Sequence, residues 1–177
     1  CSVTNLKINS VQIDINIPCC IPSMEIIEDD FYISTYYEDS IWKYDTSEGD
    51  TSLFYVHNTD IWGITYDGTY IWFSDSYGDV HGLDFNGNMV GAFSTPSSSD
   101  VSIIWDGDYF LAYDRNVGIM YRLDYTGGVV DSFDATILNS NNISDLTWVS
   151  AHTNGELWGL YYDTFYQFSI EDNVVVY

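Results

Sequence analysis

Four short segments of the chain repeat one pattern. Ile41-Trp42-Lys43-Tyr44-Asp45, Val80-His81-Gly82-Leu83-Asp84, Met120-Tyr121-Arg122-Leu123-Asp124 and Phe165-Tyr166-Gln167-Phe168-Ser169 align as a column, at successive spacings of 39, 40 and 45 residues. Phe54, Phe93 and Phe133 each follow the fourth member of the first three segments by ten residues. Upstream, Ile64-Thr65-Tyr66-Asp67-Gly68 matches Ile103-Ile104-Trp105-Asp106-Gly107, and Leu146-Thr147-Trp148 is a weaker third copy. Self-similarity at this period means that one supersecondary unit recurs, and that each copy buries its apolar face against the next.

Each unit splits into four apolar runs separated by turn residues. In the second unit the runs fall at about 61–66, 70–74, 79–84 and 89–94, broken by Asp67-Gly68, Ser76-Tyr77-Gly78 and Asn86-Gly87. Asp-Gly and Asn-Gly supply the positive φ of tight hairpins. Runs of this length, rich in Tyr, Trp, Ile and Val, predict strands, and no apolar stripe of helical period persists. The units resemble blades of the β-propeller family, on the strength of inner hairpins such as "YDGTYIWFSD". That resemblance implies an all-β fold, a four-bladed β-propeller with an extra N-terminal β-strand extension. The expected division is an extension over 1–22 and a propeller over 23–177, with blades at about 23–58, 59–97, 98–138 and 139–177. The signatures of the WD40, kelch and haemopexin types are absent, so the resemblance implies a fold and no activity.

Charge narrows the partners. Four Lys and Arg face 27 Asp and Glu, for a net charge of -23. Nucleic acid and anionic membrane surfaces are repelled. All but six of the acids are Asp, which bonds its own backbone in turns where Glu does not. No apolar run approaches a transmembrane helix. The three cysteines, Cys1, Cys19 and Cys20, cluster at the head of the chain. This clustering predicts a disulfide involving Cys1 in an oxidising, extracellular or cell-surface setting. Cys1 also reads as a processed terminus, which leaves open a lipid-anchored surface protein as an alternative.

Motifs of chemistry are sparse. No nucleophile elbow, His-Glu-x-x-His, P-loop or dinucleotide fingerprint occurs. His57, His81 and His152 lie at unlike positions of different units, and His81 replaces Trp42 and Tyr121 in its column, which reads as structural substitution. No catalytic residue and no metal ligand is assigned. Asp84-Phe85-Asn86-Gly87-Asn88 places oxygens at alternate positions as Ca²⁺ loops do, but lacks the later bidentate Glu, so Asx-turn chemistry is the reading and Ca²⁺ a weak alternative. The six tryptophans fall mostly at repeat-matched strand positions, which favours packing over a glycan-binding shelf. Asn142-Ile143-Ser144 is an N-glycosylation sequon, and Asn142 the expected acceptor.

One segment remains without a sheet. From Asn9 onward, Val11, Ile13, Ile15 and Ile17 alternate with Gln12, Asp14 and Asn16, as in a half-buried strand. Such a strand invites addition to a blade edge, in its own molecule or in the next. Donation to a neighbour grows a head-to-tail filament. The expected function is therefore a non-enzymatic extracellular structural protein whose partner is a second copy of itself. The alternatives are a propeller that binds a glycan or small ligand at its axial mouth, and a glycoside-acting enzyme with carboxylates in the channel.

Overall fold

The computed structural model describes residues 2–3, 6–8, 11–13, 17–18, 21–140, 145–150, 156–161, 164–169 and 174–175. Four four-stranded antiparallel sheets follow one another along the chain. The first blade is β5 (Met24–Ile27), β6 (Asp30–Thr35), β7 (Ser40–Asp45) and β8 (Asp50–Val56). The second is β9 (Ile61–Tyr66), β10 (Ile71–Asp75), β11 (Asp79–Leu83) and β12 (Met89–Ser94). The third is β13 (Val101–Trp105), β14 (Phe110–Asp114), β15 (Ile119–Leu123) and β16 (Val129–Asp134). A five-residue helix, α1 (Thr136–Ser140), leads to the fourth: β17 (Asp145–Trp148), β18 (Leu157–Tyr161), β19 (Thr164–Ser169) and β20 (Val174–Val175). The protein is an all-β, four-bladed β-propeller, as the repeat implies.

In each blade every strand pairs only with its sequence neighbours, so no blade borrows a strand. The first strands β5, β9, β13 and β17 pack on one another toward the axis, while the fourth strands form the rim. The cores lie between blades. Ile27, Tyr32 and Ile41 of blade 1 meet Ile61, Ile71 and Phe73 of blade 2. Trp72 and Phe93 of blade 2 meet Ile103 and Phe110 of blade 3. Leu111 and Met120 of blade 3 meet α1 and Leu146, Leu157 and Phe168 of blade 4. Trp72 needs Gly82 opposite it, since a Cβ there would lie 2.9 Å from the indole ring. The outer strands are apolar but exposed, with Leu53, Val56, Met89, Val90, Val129 and Val130 facing out.

The N-terminal segment departs from the expected single strand. β1 (Ser2–Val3) pairs with β4 (Ile17–Pro18), and β2 (Leu6–Ile8) with β3 (Val11–Ile13). The described residues of this segment thus pair with one another. None of the four joins a blade sheet among the described residues, so a distinct strand added to the blades is not what the fold contains. Val11 and Ile13 pair with Ile8 and Leu6, an internal partner that the alternating pattern of 11–17 concealed. Ile15 lies outside the described residues.

Candidate metal centre

The turn between the second and third strands of blades 1, 2 and 3 sets the frame. Its last residue has positive φ: Asp39 at 50°, Gly78 at 78° and Gly118 at 71°. The carbonyl of that residue accepts the N–H of the residue that leaves the fourth strand: His57 (2.6 Å), Thr95 (3.0 Å) and Ala135 (2.8 Å) respectively. These three positions are therefore equivalent in blades 1, 2 and 3. Asp75 and Asp114 are equivalent at the ends of β10 and β14. Asp75 Oδ1 accepts the N–H of Tyr77 (2.9 Å) and Asp79 (3.0 Å), and Asp114 Oδ1 those of Asn116 (2.9 Å) and Val117 (3.4 Å). Both carboxylates close their turns with one oxygen.

At one junction the other oxygen has company. Asp75 Oδ2 lies 3.3 Å from His81 Nε2 and 3.5 Å from His57 Nε2. His81 comes from the middle of β11 and His57 from the connection out of blade 1, so the group spans two blades. The side chains of His57, Asp75 and His81 are 10%, 5% and 15% exposed, enough for a small ion to reach and too little for free hydration. Phe73 holds the imidazoles in place: it stacks on His81 at 5.0 Å and meets His57 edge-on at 5.0 Å. The two imidazole rings are 4.6 Å apart.

This set of atoms suits a divalent transition metal. Bonds of about 2.1 Å to nitrogen and oxygen put ligand atoms of a tetrahedral shell about 3.4 Å apart. The two Nε2–Oδ2 separations match that edge, and all three ligand atoms lie within 4.8 Å of one another. Closing the imidazoles by no more than about 1.4 Å completes three corners of the shell. Protonation states agree. Burial, and then the neighbouring His81, hold His57 below the ordinary imidazole value, which favours the neutral ligand form. Burial pushes Asp75 up, but the N–H groups of Tyr77 and Asp79 and the His81 side chain outweigh it and leave the carboxyl below its usual range.

The cluster corrects the expectation of a protein that is not an enzyme. Two converging histidines and a carboxylate are ligand types from which catalytic metal sites are built, and a non-enzymatic assignment does not survive the cluster. The disulfide expectation is also withdrawn, since the described residues contain no cysteine. Cys1, Cys19 and Cys20 themselves, with Asn142 and His152, lie outside the described residues. Asp84 makes the Asx turn, accepting the N–H of Asn86 (2.8 Å) and Asn88 (2.9 Å). Trp72 is core, 5% exposed.

Two carboxylates lie toward the axis: Glu25 of β5 and Asp145 of β17, close enough for Asp145 to act on Glu25. A polar cavity of about 110 Å³ on the axis is lined by Glu25, Thr65, Tyr66, Trp105, Thr147 and Trp148, among others. Burial and, less strongly, Asp145 raise Glu25 to about 7, and burial raises Asp145 to about 7 despite a hydrogen bond from Ser23.

No protein-family profile matches the chain, and no curated protein matches its sequence. Solved structures do match in fold. Glutaminyl cyclase of Myxococcus xanthus superposes with a TM-score of 0.60 at 14% identity, over 75% of this chain and 64% of that one. The WD40 β-propeller domain of Doa1 gives 0.60 at 16% identity, over 89% of this chain and 52% of that one. The computationally designed Ika8 protein gives 0.57 at 12% identity, over 84% of this chain and 45% of that one. The chain spans between about half and two thirds of the length of these structures, and at such identities the likeness is one of fold alone.

Proposed function

We propose that this protein is a metal-binding β-propeller whose His57, Asp75 and His81 hold one divalent first-row transition ion between blades 1 and 2. The observation that carries this reading is asymmetry within a repeat. Every described junction has the frame, yet only one has imidazole at both variable positions: blades 2 and 3 have Thr95 and Tyr121, and blades 3 and 4 have Ala135 and Tyr166. Structural needs at the other junctions are met without histidine, so His57 and His81 call for a further reason. Neutral imidazole with carboxylate selects borderline ions over Ca²⁺ or Mg²⁺, which prefer oxygen alone. Three protein ligands leave a coordination position for water or for a substrate oxygen, the arrangement of a Lewis-acid site. Asp75 keeps its second oxygen on its own turn, which fixes the carboxylate without consuming the oxygen offered to the ion.

Co²⁺ titration of metal-free protein tests this directly, because its visible spectrum reports both stoichiometry and geometry. One equivalent should bind in wild type and none at the same concentrations in His57→Ala or His81→Ala. A spectrum unchanged by both substitutions means that the trio is only a hydrogen-bonded clasp between blades.

A second reading is favoured by the outer strands. Among the described residues β8, β12 and β16 are edge strands with exposed aliphatic side chains, which suits edge-to-edge contact between copies. This is the self-assembling structural role, in an extracellular or cell-surface setting. Sedimentation across a concentration series tests it, and a monomer at every concentration ends it.

A further inference from the structure

We propose that Tyr36, Tyr37, Trp62 and Tyr77 form a binding platform for a neutral oligosaccharide on the face that carries the turns between the second and third strands of blades 1 and 2. The starting observation is an anomaly of backbone. Tyr37 has a φ of 66°, in the left-handed region, where a bulky side chain is an outlier. The strand reversal does not require it. The corresponding turns of blades 2 and 3 have positive φ only at Gly78 and Gly118. Nor does burial repay the strain, because Tyr37 is 73% exposed. A residue that costs backbone energy and gains little from packing points to use.

The surroundings hold this ring still. Asp60 Oδ1 accepts the Tyr37 N–H at 3.0 Å, and the Asp60 carbonyl accepts the Ser76 N–H at 3.1 Å. Tyr37 meets Tyr36 edge-on at 4.3 Å, and Tyr36 meets Trp62 edge-on at 5.0 Å. Trp62 is fixed in turn by donation from Nε1 to Ser76 Oγ at 3.3 Å. Next to Ser76, Tyr77 is 65% exposed. The rings are thus set before any ligand arrives, which lowers the cost of binding.

The chemistry around the rings selects the ligand. Glu38, Asp39 and Asp60 place carboxylates beside them, which accept hydroxyl hydrogens while the C–H faces of a sugar stack on the aromatics. Acidic sugars and nucleic acid are repelled by the same carboxylates and by the net charge of -23. A protein partner burying a standard interface would strip water from those carboxylates, whereas a neutral sugar replaces it with hydroxyl groups.

The experiment uses the full chain in the presence of a metal chelator, which keeps its result separate from that of the metal centre. Cellotriose, chitotriose and mannotriose are titrated while Trp emission and heat are followed. At least one should bind and shift the emission. Tyr37→Gly should then raise Tm by a few degrees, by relieving the left-handed strain, while weakening binding at least tenfold. Tyr77→Ala, at an exposed ring, should weaken binding with Tm unchanged. The proposal is overturned if no sugar binds wild type, if both variants bind as wild type does, or if Tyr37→Gly lowers Tm. Binding of a basic proline-rich peptide that displaces the sugar, or binds where no sugar does, also overturns it.

Discussion

The junction between blades 1 and 2 and the junction between blades 2 and 3 share a backbone and differ in what they hold. At both, the residue leaving one blade donates to the positive-φ carbonyl of that blade's own turn, Asp39 or Gly78, and a carboxylate of the next blade, Asp75 or Asp114, caps that next blade's turn with Oδ1. The first offers His57 and His81 to the free oxygen of Asp75. The second offers Thr95 and Tyr121 at the matching places beside Asp114. Two side chains therefore separate a potential metal centre from an ordinary turn, and the scaffold needs no change to convert between them.

The sharpest way to break the comparison is to remove its distinguishing pair. His57→Ala/His81→Ala should lower metal affinity by at least about 100-fold, since a single carboxylate remains of three ligands. Added Zn²⁺ should then no longer raise Tm as it does in wild type. The reverse exchange is the next largest effect. Thr95→His/Tyr121→His, with Asp114 already in place, should raise the bound-metal stoichiometry from one to two, read by equilibrium dialysis. What the junctions share gives a smaller and equal effect. Asp75→Ala and Asp114→Ala each leave turn N–H groups without their acceptor and should each cost about 1–3 kcal/mol in chemical denaturation. An Asp75 loss far above the Asp114 loss would show that the histidines depend on it for stability also.

The mildest prediction concerns the axis as a control region. Glu25 and Asp145 titrate near 7 in the folded protein and near 4 when unfolded. Between those values the folded state binds more protons, so stability falls as pH rises from about 4 to 7 and the loss is complete above it. Asp45, Asp84, Asp124 and Asp134, held low by hydroxyl, amide and backbone donors, oppose this only at the acid end of the range. Tm should be higher at pH 5 than at pH 8, and Glu25→Gln/Asp145→Asn should flatten the difference.

Most of the frame was legible in the chain. The runs at about 61–66, 70–74, 79–84 and 89–94 are strands to within a residue or so, because Asp-Gly and Asn-Gly turns leave little freedom in where a strand stops. The candidate centre was not legible. His57 and His81 occupy different columns of the repeat, and only propeller closure places the exit of one blade against the third strand of the next. The clue was available in His81, the one imidazole in a column of Trp42, Tyr121 and Tyr166. The aromatic group around Tyr37 was hidden for another reason: positive φ at Tyr37 contradicts the preference of its residue type, and no pattern of residues announces it. The N-terminal hairpin was missed because alternation over 11–17 reads the same whether the partner is a blade or residues 2–8.

Each blade is complete in four consecutive strands, and this gives the ring an unequal set of joints. Three are crossed by the chain running from one blade to the next, while at the joint between blades 4 and 1 no described residue runs across; there Asp145 of β17 reaches Ser23 ahead of β5. Topologically the molecule is an arc whose two ends touch. Such an arc can widen at its seam with every blade intact and every backbone hydrogen bond within the blades kept, like a split washer under load. Burial lifts the carboxylate at that seam to about 7, which makes it a contact of the washer's gap whose charge follows the surrounding pH near neutrality.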